Sequence, residues 1–480
     1  MVWFGFIILL IAIKAIHSAS LTALKCSTLQ IQPPSISGIE IGSLTAFPVY
    51  GFEIDGLQVN PIKYRPVTVS VCNVTITYNH PGWDDVIHTQ VWLPLSGLNA
   101  RLQGIGGWGF AGTCGDSAAA LAVAGGFAAV SSDLGHTTNP WSARDWALDE
   151  SSGHVNFARL LDFSAVGLSD ISGLGRDIAY KVYRSPPRYT YWNGCSTGGR
   201  QGMMLAQRFP GAWILAGSPA LSWAHMIPAG YWPTFVMYLL NSYPSPCVMN
   251  AIAAKVVEAC DDRDGVVDGI ITQPELCDSN PLFLVTKHVD CDDGIDAEIT
   301  LEVVTVAQRI WQGMRSRDGF PLWYGFSRGS LWHGTNCSSA DEIEHHRCTP
   351  TPSPIVVDWL SLFVAQDLKL DLSNLTYSEF EALFRLSVAG YQSIISADAP
   401  DLREFRRRGA PGVGHCGSGP GAEPMGLLGS LATWVEKGIA PGILAAVSED
   451  GSLSRILCPY PTVVTYLEGD PEQPESFGCQ

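Results

Sequence analysis

The sequence predicts an α/β protein with a mainly parallel sheet that is covered by helices on both faces. Short apolar strands alternate with helical segments as far as Pro219, and parallel strands need such crossover helices between them. A glycine-flanked turn at residues 194–198 joins one of these strands to a helix. From about residue 222 to residue 390, helices and cysteine-bounded loops replace the strand signals. We interpret this later stretch as an insertion over the sheet.

The strand region has a recognisable pattern for each element. Residues 64–93 alternate apolar and polar side chains around the turn at Pro81-Gly82, which predicts two strands. A glycine-rich loop, GIGGWGFAG, follows at residues 104–112. The next predicted elements are a helix over 118–124, a strand over 126–131, a helix over 171–183, a strand over 189–192 and a helix over about 199–208. In the insertion, a helix is predicted over 301–312, and its apolar face carries Val303, Ala307, Ile310 and Met314.

Composition restricts the partners of the chain. Of its 480 residues 46% are apolar, which is enough for a sizeable core. The 46 Asp and Glu residues exceed the 29 Lys and Arg residues and give a net charge of −17. Because so acidic a surface repels nucleic acid and anionic membranes, we expect a neutral or weakly charged small molecule as the partner. The sequence does not indicate an oligomeric state.

The N-terminal residues predict export. The apolar run at residues 2–13 is too short to span a membrane, and small residues follow it at 18–20. This pattern predicts a signal peptide over residues 1–19 and a secreted, extracellular protein; the alternative is a buried N-terminal strand. In an oxidising compartment most of the 13 cysteines should be paired, with at least one left over. Glycosylation sequons at Asn73, Asn336 and Asn374 agree with export.

Gly194-Cys195-Ser196-Thr197-Gly198 matches the G-x-S-x-G pattern of a nucleophile on a strand-to-helix turn. Glycines two residues to either side of Ser196 remove side chains that would collide in so tight a turn. The turn lifts the Ser196 hydroxyl out of the sheet and places it at a helix N-terminus, where negative charge is favoured. We therefore predict that Ser196 is a catalytic nucleophile; the alternative is a glycine-rich turn with a capping serine.

An acyl-transfer site also needs two backbone donors that point at the developing oxyanion. The N–H of Thr197 is the natural first donor. The second is expected from Gly107 and Trp108 in the glycine-rich loop, for which the alternative is a flexible surface loop.

Several long segments resemble the tannase and feruloyl esterase family. They are YWNGCSTGGRQGMMLAQRFP (191–210), AGSPA (216–220), PGVGHCGSGPG (411–421), GGWGFAG, SSDLGH (131–136), CDDRDGVVDGIITQPELC (260–277) and CPYP (458–461). The resemblance implies an α/β-hydrolase fold, with a catalytic domain over residues 20–221 and 396–480 and an inserted lid domain over 222–395. It also implies a carboxylic-ester hydrolase that acts on phenolic-acid esters through an acyl-enzyme.

By motif match, the resemblance makes Ser196 the nucleophile and His415 the general base. It also implies a disulfide between their neighbours, Cys195 and Cys416. Such a bridge would hold the serine turn beside the histidine loop, and nucleophile and base must stay within hydrogen-bond reach.

Other cysteine pairs are expected as well. They are Cys26–Cys72, Cys260–Cys277 and Cys458–Cys479, together with Cys337–Cys348 from its spacing. Ile299 stands where the family commonly has Cys, so Cys291 pairs elsewhere, with Cys247, or stays free. Cys114 is the candidate for the unpaired cysteine.

Asp261, Asp264 and Asp268 lie on a loop with glycines at 265 and 269. Hard oxygen donors at this short spacing suit a structural Ca²⁺ ion; the alternative is a solvated acidic turn. The resemblance adds the backbone carbonyls of Val266 and Ile270 as ligands.

One departure from the family pattern concerns the triad carboxylate, which orients the imidazole and stabilises its cation. In the family, a strand and an Asp loop precede the histidine segment, but here Gly409 leads almost directly to His415. The core sheet is therefore expected to be incomplete. The explanations are an incomplete gene model with a skipped exon, an inactive paralogue, or another carboxylate in this role. Asp398 and Asp401 are the nearest carboxylates in sequence and Asp133 follows a core strand, but none of the three has the required context.

Three functions follow from these patterns. The first is hydrolysis of feruloyl and other hydroxycinnamoyl esters. The second, a close variant, is hydrolysis of gallate esters. The third is binding without catalysis by a secreted protein, because the segment with the triad Asp is missing.

Overall fold

The computed structural model describes residues 26–28, 30–54, 58–59, 62–63, 66–136, 139–269, 271, 276–291, 296–328, 334–337, 348–399, 422–448, 451–460 and 462–480. Three of the predicted site residues lie outside this part of the chain, namely Ile270, His415 and Cys416. The predicted signal peptide, residues 1–19, also lies outside it.

A mixed seven-stranded sheet forms the centre of the protein. Its strands are β1 (Glu40–Ile54), β2 (Val67–Asn79), β3 (Ile87–Pro94), β4 (Arg101–Ile105), β5 (Ala128–Ser132), β6 (Tyr189–Cys195) and β7 (Trp213–Gly217). In the described part of the chain their order is β1-β2-β3-β5-β4-β6-β7. The pairs β1–β2, β2–β3 and β3–β5 are antiparallel, whereas β5–β4, β4–β6 and β6–β7 are parallel. The prediction of a mainly parallel sheet is therefore wrong for the described strands, because β1, β2 and β3 follow one another without crossover helices and pair antiparallel.

Helices cover both faces of this sheet, as the sequence predicts for an α/β protein. The helices of the sheet region are α1 (Gly115–Ala124), α2 (Phe157–Ser164), α3 (Val166–Tyr183), α4 (Thr197–Arg208) and, near the C-terminus, α11 (Leu427–Lys437). On one face, Leu102 and Val130 pack with Ile171 of α3 in the larger core cluster. On the other, Ala129 and Tyr191 belong to the core cluster of α1 and α11. Strand β5 is buried along its whole length, as a central strand between two helical layers should be.

The described residues between β7 and α11 are mainly helical. The helices are α5 (Trp223–Ala229), α6 (Trp232–Leu240), α7 (Pro246–Cys260), α8 (Leu301–Gln312), α9 (Pro354–Asp358) and α10 (Tyr377–Ile395), with a π-helix at Trp359–Val364 and short 3₁₀ turns at Asp261–Asp264, Pro281–Leu284 and Leu372–Asn374. The strands here are short: His288–Asp290 pairs with Asp296–Glu298, and Thr335–Cys337 pairs with Cys348–Pro350. The change of pattern after Pro219 therefore marks a real change of architecture.

Short strands and a 3₁₀ turn complete the described structure. The strands are Gln58–Val59, Ile62–Lys63, Glu423–Pro424, Leu444–Val447, Ser454–Leu457, Val464–Tyr466 and Phe477–Cys479, and the turn is Pro474–Ser476. No helix among the described residues is long and apolar enough to cross a membrane.

Five disulfides join described residues. They are Cys26–Cys72, Cys247–Cys291, Cys260–Cys277, Cys337–Cys348 and Cys458–Cys479. Cys291 thus pairs with Cys247, which was one of the two expectations for it. Cys195 is disulfide-bonded as well, and its expected partner, Cys416, lies outside the described residues. Cys114 is a free thiol, and burial raises its pKa to about 11, so it is not a reactive thiolate near neutral pH.

Candidate active site

Ser196 has the backbone conformation of a nucleophile on a sharp turn. It lies between the last residue of β6 and the first residue of α4, with φ 56° and ψ −116°. A residue other than glycine rarely adopts a positive φ, and strain of this kind persists only where surrounding contacts fix it. The strained residue is therefore the one whose side chain carries the predicted chemistry.

Close backbone packing explains the glycines around the serine. A Cβ atom on Gly194 would lie 2.5 Å from the carbonyl carbon of Gly198. A Cβ atom on Gly198 would lie 2.8 Å from the carbonyl oxygen of Gly107, and one on Gly106 would lie 2.7 Å from the Cα atom of Gly198. The serine turn and the glycine-rich loop thus touch through their main chains, which no larger residue would permit.

Main-chain hydrogen bonds fix the serine turn to its neighbours. The N–H of Ser196 donates to the carbonyl of Gly217 at the end of β7 (3.0 Å), and the carbonyl of Ser196 accepts from the N–H of Ala220 (3.1 Å). On the other side, the N–H of Gly198 donates to the carbonyl of Gly107 (2.9 Å). The turn is held between the chain segments that follow the two flanking parallel strands.

The structure changes one expectation for the oxyanion hole. The N–H of Gly107 donates to Oε1 of Gln201 at 2.9 Å, so it is not free to bind an oxyanion. The N–H of Thr197, the first residue of α4, donates to no acceptor in the described part of the chain. Its side chain fixes the facing loop instead, because Oγ1 donates to the carbonyl of Gly109 at 2.6 Å. Thr197 and Trp108 remain as the expected donors.

Gln201 is a supporting residue that the sequence analysis did not identify. Its side chain is completely buried, and its Nε2 lies 3.4 Å from the carbonyl of Gly112. With its bond to Gly107, it holds the glycine-rich loop at two points, Gly107 and Gly112. The sequence feature that could have identified Gln201 is its position, as a polar residue on the buried face of the helix that follows the nucleophile.

Arg200 anchors the same helix. Its guanidinium is completely buried and donates to the carbonyls of Phe163 (3.0 Å) and Ser164 (3.1 Å) at the end of α2, and of Ile395 (3.3 Å) at the end of α10. No carboxylate among the described residues pairs with it, and burial lowers its pKa to about 9. The rings of Phe163 and Trp223 lie 4.9 and 5.7 Å from the guanidinium carbon, where their faces attract a cation.

An exposed aromatic pair borders the glycine-rich loop. Trp108 and Trp141 are 42% and 51% exposed, and their rings meet edge to face at 5.3 Å. Because the two rings touch each other, they form a contiguous exposed apolar surface, which is more informative about binding than a single exposed aromatic residue.

Asp133, one of the candidate triad carboxylates, is hydrogen-bonded to His88. Asp133 follows β5, and its Oδ2 lies 2.7 Å from Nδ1 of His88, while Oδ1 accepts from the N–H of His88 at 2.9 Å. Asp133 therefore already orients another histidine. Asp398 follows α10, and Asp401 lies outside the described residues with His415.

The predicted calcium loop is closed by the disulfide Cys260–Cys277. Asp261 is buried, and its carboxylate accepts from the N–H groups of Asp268 (3.0 Å) and Gly269 (2.9 Å). Oδ2 of Asp268 pairs with Arg455 at 2.8 Å. The all-oxygen donor set fits calcium in its chemistry, but an ion would have to compete with Arg455 for Asp268.

The three sequons differ in their surroundings. Asn336 and Asn374 are exposed. Asn73 is half-buried in β2, opposite Phe47 and Trp92 of the neighbouring strands. A glycan is therefore accommodated more easily at Asn336 and Asn374 than at Asn73.

Comparison with known proteins gives a consistent result. The family pattern "Tannase and feruloyl esterase" matches residues 72–410 and 410–480. A relative described as "Probable feruloyl esterase" from Arthroderma benhamiae is 33% identical over 505 residues, covering 94% of this chain and 92% of the relative. The fold resembles the solved tannin acyl hydrolase from Aspergillus niger, with a TM-score of 0.82, 22% identity and coverage of 97% and 96% of the two chains. It also resembles feruloyl esterase B from Aspergillus oryzae, with a TM-score of 0.72, 20% identity and coverage of 93% and 98%.

These matches span nearly the whole chain and agree with the serine turn described above. The chain belongs to the tannase and feruloyl esterase family. It is a carboxylic-ester hydrolase.

Proposed function

We propose that this chain hydrolyses esters of phenolic acids, feruloyl and other hydroxycinnamoyl esters in particular, through an acyl-enzyme on Ser196. The observation that carries the proposal is the strained backbone of Ser196 between β6 and α4. The name of the Arthroderma benhamiae relative supports the feruloyl ester. The similarity to a tannase from Aspergillus oryzae, 24% identical, and to the tannin acyl hydrolase favours a gallate ester as the second candidate.

The proposed reaction follows the acyl-transfer route. His415 accepts the proton of Ser196 Oγ while the oxygen attacks the ester carbonyl, and the N–H groups of Thr197 and Trp108 bind the tetrahedral oxyanion. His415 then protonates the leaving alcohol, and the phenolic acid remains esterified to Ser196. A water molecule, deprotonated by His415, attacks this ester. The phenolic acid leaves as His415 returns the proton to Ser196 Oγ, which restores the enzyme.

The exposed pair Trp108 and Trp141 supports an aromatic acyl group. Both rings lie on segments next to the serine turn: Trp108 follows Gly107, and Pro140, which precedes Trp141, accepts a hydrogen bond from the N–H of Phe110 in the glycine-rich loop. A planar phenolic ring packs well against such faces and edges.

The test compares Ser196→Ala with the parent protein on methyl ferulate and methyl gallate. We expect the variant to lose at least about 10²-fold in kcat/KM, because the covalent step disappears from a chain in which the triad acid is expected to be missing. Ser378→Ala changes an exposed serine on α10 and should leave the rate unchanged. Equal rates for Ser196→Ala and the parent would refute the mechanism, and the ratio of the two substrates distinguishes the two ester classes.

We also propose a structural Ca²⁺ ion in the loop closed by Cys260–Cys277, with ligands from Asp261, Asp264, Val266, Asp268 and Ile270. The ion would neutralise the loop carboxylates and let the loop compact. A chelator should therefore lower Tm, and Ca²⁺ should restore it. Asp264→Ala should abolish this response, whereas Asp262→Ala, which changes an exposed carboxylate of the same loop, should retain it. If neither chelator nor Ca²⁺ changes the Tm of the parent protein, the loop does not bind a structural Ca²⁺ ion.

The five disulfides support export through an oxidising compartment. We propose a signal peptide over residues 1–19, an extracellular location, glycans at the sequons and a lid over residues 222–395 on an α/β-hydrolase domain. N-terminal sequencing of the secreted protein checks the cleavage site.

A further inference from the structure

A buried group of one histidine and three carboxylates lies apart from the serine turn. His80 follows β2, Asp85 precedes β3, Asp162 lies in α2 and Asp170 lies in α3. All four residues are at least nine-tenths buried. Three acidic side chains in so apolar a setting repel one another unless a positive charge or protons neutralise them.

The histidine is oriented as a metal ligand usually is. Its Nε2 lies 3.1 Å from Oδ2 of Asp170, and the hydroxyl of Tyr78 lies 3.4 Å from the same oxygen. An outer carboxylate that accepts from one ring nitrogen fixes the tautomer and presents the other nitrogen to a metal. Here the presented atom is Nδ1, and the ring of Trp83 covers the imidazole at 4.7 Å.

Two carboxylates face Nδ1. Oδ2 of Asp85 lies 2.6 Å from it, and the other oxygen of Asp85 accepts from the main-chain N–H of His80 at 3.0 Å, so this carboxylate is held in place. Oδ1 of Asp162 lies 3.5 Å from Nδ1. The three donor atoms all lie within 4.8 Å of one another.

Asp162 is the residue that points to a ligand. Its side chain is completely buried, yet neither carboxylate oxygen accepts a hydrogen bond from an N–H group of a described residue. Its hydrogen-bonding neighbour is the carboxyl group of Asp85, an acidic group like itself. Buried polar atoms in this state are rare and call for an unseen partner.

We propose that His80, Asp85 and Asp162 bind a divalent transition-metal ion, with Zn²⁺ as the best match. One imidazole nitrogen with two carboxylate oxygens is a zinc-type donor set, whereas calcium takes oxygen donors only. Zn–N and Zn–O bonds of about 2.0–2.2 Å place ligand atoms roughly 3–4 Å apart. The distances from Nδ1 of His80 to Asp85 (2.6 Å) and Asp162 (3.5 Å) lie within or close to this range. This site is separate from the calcium loop in position and in chemistry.

The ion would connect the β2–β3 turn with α2. The last residues of α2, Phe163 and Ser164, accept the hydrogen bonds of Arg200 on the nucleophile helix. Metal binding therefore supports the platform on which the serine helix rests. Its role is structural, because none of the three ligands contacts the serine turn in the described part of the chain.

The experiment uses the full-length protein, stripped of metal by a chelator and then kept in excess Ca²⁺ so that the lid loop is saturated. Addition of Zn²⁺ should give about one bound equivalent by elemental analysis and should raise Tm by about 2–4 °C. Asp162→Asn, which keeps the side-chain shape, should lose both effects. Asp145→Asn, which changes an exposed carboxylate, and Asp264→Ala should retain them.

Two results would overturn the proposal. In the first, the parent protein does not bind Zn²⁺, and Co²⁺ added in its place does not give the visible spectrum of a tetrahedral site. This result would mean that Asp162 and Asp85 share a proton instead of binding a metal ion. Equal zinc binding by Asp162→Asn and the parent would place the ion elsewhere. The parent titration decides the question even if the variant does not fold, and neither readout depends on ester hydrolysis.

Discussion

The conformation of Ser196 costs about 1–3 kcal/mol for a residue with a side chain. Three glycines allow the surrounding main chains to approach closely enough to hold it. Gly106, Gly194 and Gly198 are therefore required by space, since all three would meet main-chain atoms with a Cβ.

The first prediction at this scale compares two Gly→Ala changes. Gly194→Ala should destabilise the protein by about 1–3 kcal/mol, because its new methyl group would overlap the main chain of Gly198. Gly390→Ala places the same methyl group in open space on the exposed side of α10, where Ala is the better helix former by about 1 kcal/mol. Urea unfolding measures both changes. Similar losses of stability in the two variants would show that the crowding at Gly194 is unimportant.

Individual residues of the site differed in how well the sequence predicted them. Ser196 was predictable because G-x-S-x-G is a local pattern whose physical reason lies within five residues. Gln201 was not, because its partner, Gly107, is 94 positions away. The same holds for His80 and Asp162, which belong to different elements and show no common spacing.

At the scale of elements, α11 is attached to the sheet by one polar contact as well as by its apolar face. Oε1 and Oε2 of Glu436 accept from Nε and Nη2 of Arg101 at 2.6 and 2.7 Å, and the hydroxyl of Tyr191 donates to Oε1 at 2.8 Å. These two partners belong to the neighbouring strands β4 and β6. The bond to Arg101 is the main cause of the lowered pKa of Glu436.

We predict that Glu436→Gln lowers the free energy of unfolding by about 1 kcal/mol near neutral pH. Because the pKa of Glu436 is lowered in the folded protein, the contribution of its charge is present above the unfolded pKa, near 4.5. It disappears as the pH falls through the folded pKa. Unfolding of parent and variant at pH 7 and pH 3 should therefore show a difference that shrinks in acid.

Glu258→Gln is the control, since the pair of Glu258 with Lys255 is largely exposed and should matter by less than about 0.5 kcal/mol. A Glu436→Gln effect that stays constant between the two pH values would argue against the ion pair as its source.

Elements with a regular pattern were predicted, and those without one were missed. The helix predicted over 301–312 is α8 itself, Leu301–Gln312. Strand β1 was missed because it is an edge strand with Pro48 and Gly51, mostly exposed and bulged at two points, so it lacks alternation. Strands β4 and β7 were also missed, because five residues each are too few to show a regular pattern. Gly104 and Ile105, predicted as loop, belong to β4, where they pair with Trp192 and Asn193 of β6. Gly104 is glycine because a Cβ atom there would lie 2.5 Å from the ring of Trp192, so it does not mark a turn.

At the scale of the whole molecule, the sequence comparisons and the sheet raise the same question about residue 410. The family pattern matches in two stretches that meet at this residue. The alignment with the Arthroderma benhamiae relative covers 505 residues, more than the 480 of this chain, so the relative has segments with no counterpart here. In the described part of the chain, β7 is the last strand of the sheet. These facts support the expectation that a strand and the triad Asp are missing before His415.

The last prediction follows from that expectation. Insertion at residue 410 of the corresponding segment from the Arthroderma benhamiae relative should add a strand beyond β7 and supply an Asp to orient His415. The ester-hydrolysis rate should rise by at least about 10²-fold, since loss of the triad acid alone costs up to about 10⁴-fold. The same chimera with this Asp changed to Asn distinguishes the effect of the carboxylate on the rate from the effect of the added strand. A Ser196→Ala chimera measures the background rate. A folded chimera that is no faster than the parent would mean that a carboxylate already present in this chain serves His415. In that case the shortened sheet would be a working form of the enzyme, because neither the added strand nor the added acid would improve its catalysis.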